Sequence, residues 1–307
     1  METHPPRPNR VSARLTFDEL TSMERELEQR LRQPFNSDAF LNTFHASRAP
    51  YNHLSAEARA LLAEHDAENQ PRCLKLTLVR LLRRFEQEER ARRYPQSIAE
   101  QFAIQREITA MELRRRRDTF FTPQRDTVMK DLAIFDERMI PGGAQLLESN
   151  RGIPRRSIFA GGWAQAVRAA RFLFPWVGAL FPYLELHTDP RRMEEFSPEG
   201  WDRFYARTVE VLLQRPEIKG ILGVGWWNDP AVATVSPHLA YLRETPEANG
   251  AQVFFYGRSP QDRDYALVHS PERQAAFEEG RYTPSSYLIV WNREDMIRWA
   301  RPAGHSG

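Results

Sequence analysis

Cysteine is nearly absent from this chain, which excludes an intramolecular disulfide and a zinc site made of several thiolates. Cys73 is the only cysteine among 307 residues. A single thiol cannot form a disulfide within the chain, and it cannot supply a zinc site made of several thiolates. Such sparse use of cysteine is typical of reducing compartments, so we expect a cytoplasmic protein.

A long hydrophobic run is absent too. The longest apolar stretch, Phe172 to Leu186, is too short to cross a bilayer and contains Pro175 and Pro182. We therefore predict no membrane span. We interpret the stretch as a helix end that runs into a buried strand, and the alternative is a patch that contacts a membrane. Residues 1–14 lack the apolar core of a secretory signal.

The chain has no strong charge of either sign. Its formal net charge is +2, and acids and bases are balanced in both halves. The molecule therefore has no field that attracts nucleic acid, and we predict no nucleic-acid partner. The run from Arg114 to Arg117 closes a predicted helix, where cations favour the helix dipole. A contact with an anion or a nucleic acid is the alternative for this run.

Short motifs that name a metal or a cofactor are missing. There is no His-Glu-x-x-His, no paired Cys-x-x-Cys and no P-loop. The glycines of Gly220-Ile-Leu-Gly223-Val-Gly225 lie inside a strand pattern rather than after it. That position is typical of close backbone approach and not of a dinucleotide loop.

Apolar residues at helical spacing fill the front of the chain. Thr16 and Glu19 form a capping box ahead of the first helix. The strongest helical pattern covers residues 71–93, and a second long helix is predicted over 95–117. Because the connections are short, we predict an antiparallel helical array over residues 16–120.

The back of the chain alternates strands and helices. All the tryptophans lie between Trp163 and Trp299, which indicates a domain boundary near residue 120. The fold class is therefore predicted as α+β or α/β, with a mixed α/β sandwich domain over 121–300. Tails are predicted as disordered at 1–15 and 301–307. The predicted strands are 144–148, 183–188, 219–227, 252–256 and 286–291.

Serine–proline pairs mark helix starts in this domain. Ser197-Pro198, Ser236-Pro237 and Ser270-Pro271 each combine a capping hydroxyl with proline at the first helical position. They predict helices over 198–214, after Ser236, and from Ser270 to Gly280. These helices separate the strands, so a parallel or mixed sheet is expected.

The most suggestive chemical group is Glu185-Leu-His187-Thr-Asp189. Alternation along a strand predicts that Glu185, His187 and Asp189 share one face. The carboxyl end of a strand is where open α/β sheets place ligands, and a carboxylate beside an imidazole can tune both for proton transfer. The alternative is a strand end with ordinary polar residues in water.

His187 and Asp189 also match the His-x-Asp pattern of non-haem iron sites. His269 is then the distal third ligand, and Arg281 holds an oxoacid. A non-haem iron oxygenase that uses His187, Asp189 and His269 is therefore a further alternative for the function.

A tryptophan pair ends the glycine-rich strand. Trp226-Trp227-Asn228-Asp229-Pro230 predicts a core aromatic pair followed by a turn that an Asx side chain stabilises. The alternative is a platform of Trp227 and Asn228 on which a cofactor or another ligand stacks.

From about residue 182 onward, the element order resembles the second half of a GNAT-type N-acyltransferase. In that family a central strand leads to a helix, a second strand, a short helix and two closing strands. The stretch Asn228…Ala240-Tyr241-Leu242…Asn249-Gly250-Ala251 is similar in style to the family's fifth strand, fourth helix and following glycine-initiated strand. The resemblance does not extend to residues 1–120.

The resemblance implies acyl transfer to an amine from a CoA or carrier-protein thioester. It implies that Glu185 deprotonates the amine and that Tyr241 protonates the leaving thiolate. It also implies that the loop after the central strand binds the cofactor, with Arg191 and Arg192 supplying positive charge.

A non-catalytic role is the alternative to acyl transfer. The long charged helices and the lack of a specific motif favour an interaction module that docks a protein partner through residues 16–120.

Overall fold

Helices fill the front of the chain and a mixed sheet fills the back. The computed structural model describes residues 15–46, 49–173 and 180–301. The chain divides into two units, the first ending at Pro141 and the second beginning at Gly142. The predicted fold class, a helical array followed by a mixed α/β domain, is confirmed.

The described part of the first unit contains six helices and a short strand. Their bounds are α1 Phe17–Arg30, α2 Ser37–Ala46, α3 Ala56–Ala63, α4 Gln70–Gln87, α5 Gln96–Arg115, α6 Asp126–Phe135 and β1 Met139–Pro141. Helix α1 begins as predicted, because the Thr16 hydroxyl accepts from the Glu19 amide while the Glu19 carboxylate accepts from the Thr16 amide.

Helix α4 is the centre of the first unit. Its predicted apolar stripe is buried, and so are residues of its other side. The stripe is Leu74, Leu78, Leu81, Leu82 and Phe85, and the other side includes Cys73, Leu76 and Val79. Helices α1, α2, α5 and α6 all contact it. Because α6 packs on α4, the helical unit continues to Pro141, beyond the boundary placed near residue 120 from the sequence.

Charged side chains of the first unit pair with one another. Asp118 accepts from Lys75 Nζ at 3.1 Å and from Arg30 Nη2 at 2.7 Å. Arg80 Nε lies 2.9 Å from Glu24 Oε1. Much of the charge that makes this region look like a docking surface therefore stabilises the unit itself. The hypothesis of a protein partner bound through 16–120 stays a prediction.

The second unit contains eight helices and five strands in its described part. The helices are α7 Arg155–Phe159, α8 Gly162–Leu173, α9 Pro198–Gln214, α10 Val232–Val235, α11 Tyr241–Ala248, α12 Pro260–Leu267, α13 Pro271–Glu278 and α14 Arg293–Ala300. The strands are β2 Gln145–Arg151, β3 Tyr183–Thr188, β4 Gly220–Gly225, β5 Gln252–Gly257 and β6 Ser286–Asn292.

These strands lie in the order β2-β3-β4-β6-β5. Strand β3 is antiparallel to β2 and parallel to β4, whereas β6 is antiparallel to both of its neighbours. The parallel pair is short, because only Leu184 with Ile221 and Glu185 with Leu222 are in register. Beyond that point β3 and β4 do not pair.

Different helices cover the two faces of the sheet. One face, here the α8 face, carries Tyr183 and Leu222 packed with Ala169 and Leu173 of α8. The other, here the α9 face, carries Leu186 and Ile221 close to residues of α9 and α11. Since successive strand residues alternate, Glu185 and His187 belong to the α8 face.

The serine–proline pairs behave differently from one another. Ser197 and Ser270 cap helices as predicted. Ser236 does not, because its hydroxyl accepts instead from Arg273 Nη1 at 2.9 Å. A further pair, Ser259-Pro260, caps helix α12, which the sequence analysis does not predict.

Among the described residues, no helix is long and apolar enough to cross a membrane. Of the stretch 172–186, α8 ends at Leu173 and β3 begins at the buried Tyr183, as expected. Residues 174–179 lie outside the described part. So do the predicted tails, apart from Leu15 and Arg301.

Candidate active site

Two carboxylates and an imidazole meet on the α8 face. Glu148 of β2 lies opposite Glu185 of β3 in register, and His187 follows two residues later on the same face. One oxygen or nitrogen atom from each of the three lies within 4.8 Å of the others. The sequence predicts Glu185 and His187 of this cluster. The register between β2 and β3 adds Glu148 to them.

Glu148 is the innermost member of this cluster. Its side chain is 1% exposed, and its Oε2 lies 3.0 Å from Nε2 of His187, which is 19% exposed. A buried carboxylate that contacts one ring nitrogen orients the imidazole and favours a hydrogen on that nitrogen. The sequence analysis misses Glu148, although it lies on a predicted strand, because strand register is not a local signal.

Arg151 supplies the positive charge of the cluster. Its Nε lies 2.6 Å from Glu185 Oε2 and 3.6 Å from Glu148 Oε2. Between Glu148 and Arg151, strand β2 advances three residues while β3 advances two, from Glu185 to Tyr183. That extra residue is a bulge, and it brings Arg151 to the cluster although regular alternation puts it on the opposite face from Glu148.

The ion pair changes the basicity of Arg151. Burial on its own lowers the pKa of Arg151. The hydrogen bond to Glu185, with the charges of Glu185 and Glu148, more than offsets burial and raises the pKa above its ordinary value. Arg151 therefore stays charged at neutral pH and continues to neutralise Glu185.

A divalent cation at this cluster would have to compete with Arg151 for the carboxylates of Glu148 and Glu185. Glutamate oxygen and histidine nitrogen are ligands that zinc and iron accept. The Arg151 guanidinium already contacts Glu185, so a metal ion requires that side chain to withdraw. The arrangement present suits proton transfer better than metal binding.

The predicted iron triad is not assembled. Asp189 lies just beyond β3 and is fully buried, where its two oxygens accept from Arg191 Nε at 3.0 Å and Nη2 at 2.8 Å. His269 is exposed between α12 and α13. His187, Asp189 and His269 therefore form no group among the described residues. Asp189 lies one residue beyond the end of β3 and is not part of the cluster of Glu148, Glu185 and His187.

The two arginines assigned to the cofactor are held by acids of their own loop. Arg191 is bound by Asp189. Arg192 is 4% exposed in its side chain, and its Nε lies 2.9 Å from Glu194 Oε1. The next helix starts with Ser197 capping the Gly200 amide. A Cβ at Gly200 would lie 2.0 Å from the Glu195 carbonyl oxygen, so this turn requires glycine.

A narrow pocket lies on the α9 face where β3 and β4 separate. Its space is about 10 Å³, room for a single water molecule. Residues around it include Leu186, Trp201, Tyr205, Gly223, Trp227 and Asn228. The predicted platform residues are therefore next to the strand divergence. Trp227 lies so close to Gly225 that a Cβ there would be 2.5 Å from the indole ring.

Two polar groups near this pocket have no hydrogen-bond partner among the described residues. They are the indole nitrogen of Trp201 and the hydroxyl of Tyr241, both buried. Burial and, to a smaller extent, the charge of Glu199 raise the pKa of Tyr241 to about 12. The phenol therefore stays protonated at neutral pH, the form that donates.

The sheet separates the predicted site residues into two groups. Glu185 and His187 lie together on the α8 face. Tyr241 begins α11, which contacts α9, so it belongs to the α9 face with Trp227. At the unpaired ends of β3 and β4, the Leu186 side chain packs against Gly223 between the two groups.

No family model matches the chain, and no curated protein or solved structure matches it.

Proposed function

We propose that the second unit transfers an acyl group from a thioester to an amine. The observation that carries this proposal is that the parallel pairing of β3 and β4 ends at Glu185 and Leu222. Near that point His187 and Glu148 lie on one face of the sheet, and Trp227 and Asn228 line a pocket on the other. The strand and helix order that resembles GNAT-type acyltransferases supports the same activity.

The unpaired ends of β3 and β4 suit an extended substrate arm once the Leu186 side chain, which packs against Gly223 between them, moves aside. Residues 186–188 of β3 and 223–225 of β4 do not pair with each other. An arm that carries amide groups, such as pantetheine, can hydrogen-bond to such strand edges as an added strand does. The pocket has room for about one water molecule, so in this proposal the arm enters only when β3, β4 or α11 moves and the contact of Leu186 with Gly223 opens.

His187 is the better placed proton acceptor in this reaction. The carboxylate of Glu148 accepts from Nε2, which leaves the lone pair of a neutral imidazole on Nδ1. The Glu185 carboxylate accepts from Arg151 Nε at 2.6 Å. In this proposal Glu185 and Arg151 stay paired while His187 accepts the proton.

The reaction then proceeds in two bond changes. The amine nitrogen attacks the thioester carbon and forms a C–N bond, while its proton passes to His187. The tetrahedral intermediate collapses by breaking the C–S bond, and the thiolate takes the proton of the Tyr241 phenol. General acid and base groups of this kind typically contribute about 10² to 10⁴ in rate.

The donor in this proposal is recognised through its pantetheine arm. Arg191 and Arg192 are already bound by acidic side chains, so they present no ready phosphate site. We therefore expect an acyl-pantetheine to replace an acyl-CoA with little loss of kcat/KM. A carrier-protein thioester, which has the same arm, is the other donor of this class.

Incubating the full chain with acyl-CoA, acyl-pantetheine and acyl-carrier thioesters and a panel of primary amines tests the activity. Mass spectrometry detects the amide product, and the release of free thiol measures the rate. We expect amide formation that depends on both substrates. Failure of every thioester to bind or react, with the protein folded, would overturn the proposal.

A further inference from the structure

Helix α8 carries apolar residues on its exposed side as well as on its buried side. Ala166, Ala169 and Leu173 face the sheet. A surface helix usually carries polar residues opposite such a stripe. Here the exposed positions include Trp163, Ala164, Val167 and Ala170.

The exposed apolar residues include large side chains. Trp163 is 81% exposed, Phe159 of α7 is 62% exposed, and Val167 is 46% exposed. Phe181, just before β3, is 53% exposed. Apart from its own chain neighbours and helix backbone, no described residue lies within 4 Å of the position that a Cβ would take at Gly162. A group of large apolar side chains in this position indicates a binding surface.

The charged side chains of this segment are all of one sign. Residues 152–184 contain four arginines and neither aspartate nor glutamate, although the whole chain is nearly balanced. The four arginines of α7 and α8 are exposed: Arg155, Arg156, Arg168 and Arg171. Together with Phe159, Trp163, Val167 and Phe181 they define what we call the aromatic–basic face.

The aromatic–basic face is anchored to the sheet. Gln165 of α8 donates to the Phe255 carbonyl and accepts from the Phe255 amide, both at 2.8 Å. Arg168 donates to the Val253 carbonyl at 2.8 Å. These bonds cover the edge strand β5 and hold α8 in one orientation, so its exposed side is preorganised for binding.

We propose that the aromatic–basic face binds the surface of an anionic membrane. Tryptophan and phenylalanine insert at the level of the lipid headgroups, and arginines attract the anionic headgroups. Trp163 and Phe159 project as separate, highly exposed side chains, which suits a soft lipid interface better than the fixed pockets of a protein partner. This inference is independent of the proposed acyl transfer.

Co-sedimentation of the full chain with vesicles tests the inference. One vesicle is phosphatidylcholine alone, and the other is phosphatidylcholine mixed with phosphatidylglycerol. We expect binding to the mixed vesicles, weak binding to the neutral ones, and loss of binding as salt concentration rises. Equal binding to both vesicles, or binding to neither, overturns the proposal.

Variants locate the surface. We expect Trp163→Ala combined with Phe159→Ala to weaken vesicle binding at least tenfold, and Arg155→Gln combined with Arg171→Gln to weaken it by about tenfold or more. Leu213→Ala is the matched apolar control, since Leu213 is 58% exposed on α9. Arg115→Gln with Arg117→Gln is the matched charge control in the first unit.

All of these positions are exposed, so the variants should fold, and circular dichroism verifies this. Control variants that lose as much binding as the variants of the aromatic–basic face would contradict the assignment. Binding of polyglutamate without binding of anionic vesicles would also contradict it, because it identifies an acidic protein as the partner.

Discussion

Nε2 of His187 lies 3.0 Å from the fully buried Oε2 of Glu148, across the boundary between β3 and β2. The two residues are 39 positions apart in the chain. Their contact favours a hydrogen on Nε2 of His187. In the proposed reaction, Nδ1 of His187 is therefore the proton acceptor, while Glu185 stays bonded to Arg151.

Replacing His187 tests this assignment. We expect His187→Asn to lower kcat for amide formation by about 10² or more, because the proton acceptor is lost. Glu148→Gln should lower kcat less, since the imidazole remains but loses the carboxylate that orients it. Steady-state assays of thiol release measure both effects. His238→Asn, at an exposed position, is the control, and wild-type kcat in His187→Asn would refute the role.

Removal of the Tyr241 hydroxyl is expected to affect stability and activity in opposite directions. A buried hydroxyl without a partner destabilises a protein by about 1 to 3 kcal/mol. Tyr241→Phe is therefore expected to keep or raise the free energy of unfolding while lowering kcat by about a hundredfold. Denaturant unfolding and thiol release measure the two quantities. Tyr265→Phe, at a 60% exposed residue, is the control. An unchanged kcat would mean that Tyr241 only packs.

Arg151 is expected to stabilise the cluster and to exclude metal ions from it. Arg151→Met leaves Glu148 and Glu185 without their cation, and we expect the free energy of unfolding to fall by about 3 kcal/mol. Zinc or manganese should then raise the melting temperature of the variant but not of the wild type. Arg203→Met, at a half-exposed ion pair, should show neither effect. Equal metal stabilisation of the wild type would show that Arg151 is no barrier.

Asp118 is expected to be an essential anion of the first unit. Burial raises the pKa of Asp118, but the hydrogen bond and charge of Lys75 lower it further, so it lies below its usual 3.8. We expect Asp118→Asn to lower the free energy of unfolding by about 3 kcal/mol at neutral pH, since Lys75, 10% exposed, loses its partner.

The pH dependence of this effect has a definite sign. Because the folded pKa of Asp118 is the lower one, its stabilisation is present above the unfolded pKa of 3.8. It is lost as pH falls through the folded value, so wild type and Asp118→Asn should converge in acid. Urea unfolding across this range measures the difference. Glu26→Gln, in an exposed pair, should change little, and a constant difference down to low pH would contradict the assignment.

Cys73 is expected to be inert in the folded protein. The side chain is fully buried, and burial raises the pKa of its thiol to about 12. Ellman's reagent should therefore not react with the native chain at neutral pH and should titrate one thiol after denaturation. Rapid reaction of the native protein would show that α4 opens, and it would also add background to assays of thiol release.

Local signals in the sequence predict many of the elements. Strand β3 and helix α9 have the predicted bounds, because alternating apolar residues and the Ser197 cap with Pro198 act over a few neighbouring residues. Ser259-Pro260 carries the same signal for α12, and the sequence analysis overlooks it. Ser236 shows the limit of such signals, since a distant residue, Arg273, takes its hydroxyl.

The candidate site depends on contacts that are not local. Glu148 meets His187 because β2 and β3 pair in one register, and Arg151 joins them because of a bulge in β2. Asp189 is not part of the group, and its carboxylate is bound by Arg191 instead. The places of Glu148 and Arg151 follow from how distant segments pair, which spacing along the chain does not encode.

The sequence by itself determines the order of helices and strands, the change from helical front to mixed sheet, and the ionisable residues of β3. Hydrophobic period, capping residues and turn residues are local, and they are sufficient for those features. Only the tertiary structure decides that Glu185 is neutralised by Arg151, that His187 is oriented by Glu148, and that Tyr241 lies across the sheet. Those contacts form because folded side chains lose contact with water and gain contact with other side chains. Strand pairing and helix packing decide which side chains these are.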